Sequence, residues 1–385
     1  MERIYFDYSA GSPVDPRVVE VMIPYMENHF GNPSSLHSDG LEAKNVIAGA
    51  REKVADLIGA TAEEIIFTSG GTESNNFALK GVAHRNKESG NHIITTSIEH
   101  ISVLNTCKQL QKEGFEISYI PVDEYGTVDL ERLKGEIRPD TILISVMYAN
   151  GEVGTIEPIR EIGEIAKGKD VYLHVDGVAA VGKIPTDVSE NIDLMSISSN
   201  DIYGPKGTGA LYIKKGTKVR PIIQGGGQER GLRSGSENVA SIVGLGRAAE
   251  IAKAEMKSEG ERISALRDKL IKNILEEIED TYLNGHPEKR LPNNANMRFS
   301  YIEGESIILS LDMEGISTSS SSACTSKTLE PSHVLIAMGI SHADSQGALL
   351  LSLGRNNKED DVDYLIETLP GIIKRLRDMS PLTPR

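Results

Sequence analysis

An α/β fold with a mostly parallel sheet is predicted by three observations. Short runs rich in β-branched residues recur at 64–68 (EIIFT), 92–96 (HIITT), 117–122 (ISYIPV), 141–146 (TILISV), 171–175 (VYLHV) and 194–198 (LMSIS). Helical patterns lie between many of them, as where Val46, Ala50, Val54, Leu57 and Ile58 repeat at three- and four-residue spacing. The runs are continuously apolar rather than alternating, which marks strands covered on both faces. Ligands in such sheets bind at the carboxyl ends of the strands.

Taken in chain order, the elements carry chemistry at those ends. The run 64–68 leads into Thr68-Ser69-Gly70-Gly71-Thr72-Glu73-Ser74-Asn75-Asn76 and a predicted helix. Free backbone N–H groups, glycines that allow close approach and a hydroxyl at the helix start suit a phosphate, although an ordinary capped helix after a glycine turn fits the same residues. Strand 92–96 is followed by His100, an imidazole placed to stack on a flat ring and move protons, or to serve as a structural histidine. Asp176 closes VYLHVD, where a carboxylate can hold a protonated ring nitrogen or start a turn. Strand 194–198 opens the glycine-rich connection SSNDIYGPKGTG, which leads to the next buried strand, ALYI. Phosphate turn, ring carboxylate and glycine-rich loop follow one another in the order used by pyridoxal-phosphate enzymes.

Beyond about residue 237 the pattern changes. A long helical stretch is expected over 237–280, then strand-like runs (NMRFSYI, SIILSL, ALLLSL) alternating with helices, and a last helix near 360–377. A smaller C-terminal α+β lobe follows from this alternation. Within it Cys324 lies in a run of small polar residues, Ser319 to Ser326, the setting of a nucleophilic thiol, whereas Cys107 in ISVLNTCKQL reads as core.

Composition bounds the partners. The 385 residues suit a large and a small lobe. With 41 basic and 56 acidic residues the net charge is −15, which argues against nucleic acid or an anionic membrane surface. Two cysteines supply neither a disulfide framework nor a four-thiolate metal site in one chain. No apolar signal core or membrane-length run is present, so a cytoplasmic location is expected.

These segments together resemble the NifS/IscS branch of the cysteine desulfurases, fold-type I pyridoxal-phosphate enzymes of the class V aminotransferase group. The likeness runs through FDYSAGSPVDPRV, FGNPSSLHSDG, FTSGGTESNN, SIEHISVL, ANGEVGTIEPI, LHVDG, IYGPKGTGALYI, GGGQERGLRSGSENV and SACTSKTLEPSHVLIAMG. It implies a homodimer, each chain having a large cofactor domain (15–257) and a small domain (1–14 and 258–385) that carries the Cys324 loop. It implies that L-cysteine condenses with pyridoxal 5'-phosphate, that a thiol attacks the substrate sulfur, and that alanine leaves a persulfide for an IscU-type iron–sulfur scaffold protein. By position, Cys324 resembles the persulfide cysteine, His100 the ring-stacking acid/base, Asp176 the pyridinium partner and Asn150 the ring-hydroxyl contact. Thr72, Ser198 and, from the second subunit, Ser236 resemble phosphate ligands, and Gly71, Ser199 and Asn200 fall at further cofactor positions.

The chain departs from the family in four places. Asp201 stands at the Schiff-base lysine, Asn200 at a phosphate-contacting histidine, Ala179 at a glutamine and Leu350 at the substrate-carboxylate arginine. Without the lysine the cofactor must be held noncovalently, and loss of the arginine removes bonds worth roughly 1.5–3 kcal/mol each. Asp201 is then a candidate hard ligand to iron beside Cys324, in an iron–sulfur cluster shared with the scaffold. Two functions follow: a desulfurase that is slow or dependent on free pyridoxal phosphate, or a non-catalytic partner that docks the scaffold and helps hold sulfur or a nascent cluster. A third, aminotransfer, leaves Cys324 without a task.

Overall fold

A computed structural model describes residues 3–320 and 331–383. The chain opens with β1 (Ile4–Tyr5), α1 (Pro16–Glu27) and α2 (Ser38–Leu57). Asp15 caps α1 by accepting from the Arg17 N–H, and Pro16 suits the first helical turn because no N–H is needed there. Ala50, Val54 and Leu57 face inward from α2, and burying a side chain such as Val54 or Leu57 contributes roughly 1.5–3 kcal/mol.

There follow β2 (Ile65–Thr68), α3 (Gly71–Asn86), β3 (His92–Thr96), α4 (Ile101–Lys112), β4 (Glu116–Ile120), α5 (Leu130–Glu136), β5 (Thr141–Met147), α6 (Ile159–Gly168), β6 (Tyr172–Asp176), β7 (Leu194–Ser198) and β8 (Gly209–Ile213). These strands form one seven-stranded sheet in the order β2-β8-β7-β6-β5-β3-β4. Only β8 runs antiparallel to its neighbours; the remaining pairs are parallel. The six runs read from the sequence are all in this sheet. Two apolar clusters contain its strand residues: one joins Ile94, Ile144 and Val175 to α1 and α2, the other joins Ile66, Ile93 and Leu143 to α3 and α4. Cys107 belongs to the second, fully buried, and burial pushes its thiol up to about 12.

A single helix, α7 (Val239–Glu277), spans 39 residues and joins this cluster to another. The second cluster is built on β9 (Thr281–Leu283), β10 (Asn294–Phe299), α8 (Gly304–Met313), β11 (Ile316–Ser317), β12 (Ala348–Ser352) and α11 (Glu359–Met379), with α9 (His333–Ala337) and α10 (His342–Gln346) preceding β12. Its antiparallel sheet runs β12-β10-β9, and β1 pairs in parallel with β11.

One expectation is corrected. SIILSL, read as strand-like, lies within α8, with Ile307 and Leu311 buried four residues apart and Leu309 turned outward. That spacing is the signature of a helix face, but in six residues it cannot be told from a strand. Among the described residues no helix is long and apolar enough to cross a membrane.

Candidate active site

The site is organised by Asp176, the last residue of β6, which is buried. One carboxylate oxygen accepts from the Val178 N–H at 3.0 Å and the other from Asn75 Nδ2 at 2.6 Å. Burial pushes the Asp176 carboxyl up; His100, Val178 and Asn75 counter this, and the charge of Asp201 adds to the rise. A carboxylate offers about four lone-pair positions, so two donors leave capacity for a protonated nitrogen.

From Asp176 a polar chain runs outward. Asn75, on α3, also donates to Ser102 Oγ at 2.9 Å, and that hydroxyl lies 2.7 Å from His100 Nδ1. The Ser102 backbone N–H points at the same Nδ1, at 3.2 Å, so the neutral ring carries its proton on Nε2. His100 is the N-cap of α4, which fixes its direction at the carboxyl edge of the sheet. Beneath it Glu99 is fully buried, and burial holds its carboxyl well above the usual range. Its Oε1 accepts from Thr96 Oγ1 and the Met147 N–H, which ties the loop to β3 and β5.

The turn before α3 provides the second half. Gly70 adopts φ 143°, a conformation that favours glycine, and a Cβ on Gly71 would lie 2.6 Å from Val178 Cγ2. No side chain caps the start of α3. Ser74 Oγ donates to the Ala210 carbonyl and receives from Thr68 Oγ1, pinning the turn against β8. Thr72 is exposed at this helix start, which suits an anion. A buried carboxylate, an oriented imidazole and an uncapped helix start therefore fit the ring nitrogen, ring face and phosphate of pyridoxal phosphate.

The remaining expected residues separate. Ser198 ends β7 opposite Gly209, but Ser199 is fully buried, its Oγ set against Gly204 inside the turn. Asn200 accepts from the Ser12 N–H at 3.3 Å. Asn150 is buried and engaged in its own turn, its Oδ1 accepting from the Glu152 and Val153 N–H groups and its Nδ2 donating to the Ile98 carbonyl. Ser236 is exposed, in a segment tied to α3 by Arg233 and Glu73. Asp201 is paired with Lys183, Oδ1 to Nζ 3.5 Å. Ala179 faces Gly151, and Leu350 is buried in β12.

Cys324 lies outside the described residues, yet the chain is anchored on either side of its segment. Ser319 exchanges backbone hydrogen bonds with Leu350 of β12. On the return, Ser332 bonds Glu152 and His333 Nε2 donates to the Glu99 carbonyl at 3.0 Å. Among the described residues no cluster of three metal-ligating side chains occurs.

Asn75, Ser102, Glu99 and Lys183 are the site residues that sequence reasoning missed. Asn75 and Glu99 stand inside segments already singled out, but only the fold brings Asn75 to a residue 101 positions away.

Comparison with known proteins gives a consistent answer. Residues 4–365 match the family described as Aminotransferase class-V. The chain is 60% identical to cysteine desulfurase IscS 1 of Archaeoglobus fulgidus, over 99% of this chain and all of that one. It is 54% identical to cysteine desulfurase IscS of Methanosarcina thermophila, over all of this chain and 95% of that one. Among solved structures, a NifS-like protein superposes with a TM-score of 0.91 at 42% identity, covering 97% of this chain and all of the other. SspA in complex with cysteine superposes with a TM-score of 0.82 at 37% identity, covering 91% and 98%.

Proposed function

We propose, from the premise that this chain belongs to the class-V aminotransferase family and within it to the cysteine desulfurases, that it takes sulfur from L-cysteine for iron–sulfur cluster assembly and holds its pyridoxal phosphate without a covalent link. The observation that carries the reading is the buried chain Asp176–Asn75–Ser102–His100 at the carboxyl ends of β6 and β3, within a fold matched along its whole length. The cofactor, when bound, supplies an electron sink for cleavage at the substrate's β-carbon.

The chain's own residues do the rest. Asp176 holds the ring nitrogen, and Asn75 keeps that carboxylate in place inside the protein. His100 presents Nε2 toward the ring and moves the proton. Thr72, Gly71 and Ser198 receive the phosphate, with Ser236 arriving from a second copy. Cys324 accepts the sulfur as a persulfide on a segment whose flanks are fastened at Leu350, Glu152 and Glu99, and passes it to an IscU-type scaffold. Asn200 and Asp201 replace the two side chains that would add a phosphate contact and a covalent anchor, so cofactor occupancy depends on free pyridoxal phosphate and turnover is slow.

One observation favours a second reading, a partner that docks the scaffold and holds sulfur or a nascent cluster without turning over cysteine. No lysine stands at position 201, and the carboxylate there is already paired. The deciding experiment measures alanine and sulfide released from L-cysteine with added pyridoxal phosphate, in wild type, Asp201→Lys and Cys324→Ala. Cysteine-dependent release by wild type that disappears in Cys324→Ala is expected. No release by wild type at any cofactor concentration would overturn the enzymatic reading in favour of the second.

A further inference from the structure

Asp201 does not stand alone. Its Oδ1 lies 3.5 Å from Lys183 Nζ, and both side chains are mostly enclosed, at 13% and 17% exposure. Lys183 comes from the turn between β6 and β7, seven residues beyond Asp176, where its N–H donates to the Ala180 carbonyl at 2.9 Å. The pair lines a cavity of about 60 Å³ shared with Glu255, Glu259 and Arg355. Arg355 is taken by Asp15 and Glu255, and Glu259 by Arg262, which leaves Lys183 as the cation at hand for Asp201.

The charge matters at the cofactor site. Exchange of a lysine for an aspartate makes this position more negative by up to two charges, and the Asp201 carboxylate is felt at Asp176. An unpaired carboxylate here would repel a phosphorylated ligand and add to the cost of keeping Asp176 ionised.

We propose that Lys183 is the counter-charge that allows a site with aspartate at position 201 to hold an anionic, phosphorylated cofactor. It acts as a positioning residue: it neutralises Asp201 and holds the carboxylate toward the cavity wall. This rests on the reading that the site takes pyridoxal phosphate.

The test is a titration of the full-length protein with pyridoxal phosphate, followed by absorbance and protein fluorescence, with no turnover required. Lys183→Met should weaken binding by about tenfold, the effect of one uncompensated charge at short range in a partly buried site. Lys183→Arg should bind like wild type. Lys183→Met/Asp201→Asn should recover the affinity, because the charge that needed balancing is gone, whereas a merely structural lysine would not be rescued by a change at its partner. Asp201→Asn alone should bind at least as tightly as wild type, and it tests the idea even if Lys183→Met fails to fold. Unchanged affinity in Lys183→Met, no recovery in the double variant, or weaker binding by Asp201→Asn each overturns the proposal while leaving the cofactor reading intact. Failure of wild type to bind pyridoxal phosphate overturns both.

Discussion

Asn75 illustrates how one amide sustains the site. Its Nδ2 group bridges a buried carboxylate and the hydroxyl that orients His100. Asn75→Ala would leave Asp176 with one backbone donor, and a lost hydrogen bond to a charged group costs roughly 1.5–3 kcal/mol. We therefore expect pyridoxal-phosphate affinity to fall by at least about tenfold, read by absorbance titration, since 1.4 kcal/mol is a factor of ten. Affinity equal to wild type would show that Asp176 holds its place without the amide. At this scale the sequence shows which residues end strands, and so Asp176 and His100 were legible. It does not show which distant side chain meets them. Asn75 and Lys183 acquire their partners only when α3, β6 and the 200–202 turn come together.

At the scale of elements, the segments between strands are tied to one another by charge. Arg355, just past β12, stacks 4.6 Å over the Tyr203 ring, donates its backbone N–H to the Tyr203 hydroxyl, and pairs with Asp15 and Glu255. Arg17 joins the same carboxylates from α1. Chiefly through its bonds from Arg17, the Asp15 carboxyl is held down at about 2, against an ordinary 3.8. A carboxyl whose affinity for protons is lower in the folded state stabilises the fold above its unfolded pKa, and that stability is lost as pH falls toward the folded value. Roughly 2 kcal/mol should therefore disappear between about pH 4 and pH 2. Thermal unfolding midpoints measured across that window should fall more steeply in wild type than in Asp15→Asn; parallel curves would remove Asp15 from the account. Elements differed in legibility for a physical reason. Buried parallel strands such as TILISV are continuous and bounded, while α8 exposes Leu309 amid its apolar residues because one side meets solvent. Six residues of such a mixture carry no period.

The molecule as a whole presents apolar surface that one chain leaves uncovered. On α1, Val18 and Met22 are buried, whereas Val19, Ile23 and Met26 point outward at helical spacing. Phe30, Leu36 and Leu41 continue this exposed series toward and into α2, with Phe30 at 80% and Leu36 at 93% exposure. Such a series marks an interaction surface, and a second copy of the chain is its expected occupant. Phe30→Glu/Leu36→Glu should shift the protein to half its mass in sedimentation and weaken cofactor binding as Ser236 is withdrawn from the neighbouring site. An unchanged mass would place the interface elsewhere.

Helix α7 links the two hydrophobic clusters through one unbroken rod of 39 residues, about 58 Å from end to end at 1.5 Å per residue. A rod transmits rotation as well as distance. One residue inserted in its half-exposed middle would turn everything beyond it by about 100° and advance it by about 1.5 Å, while both clusters kept their internal packing. Ser319 would then swing away from the sheet that carries His100, although neither end of the helix had lost a contact of its own. The helix thus works as a phase reference: the angular setting of the sulfur-bearing segment relative to the ring site is written in how many residues lie between Val239 and Glu277, as much as in which residues they are.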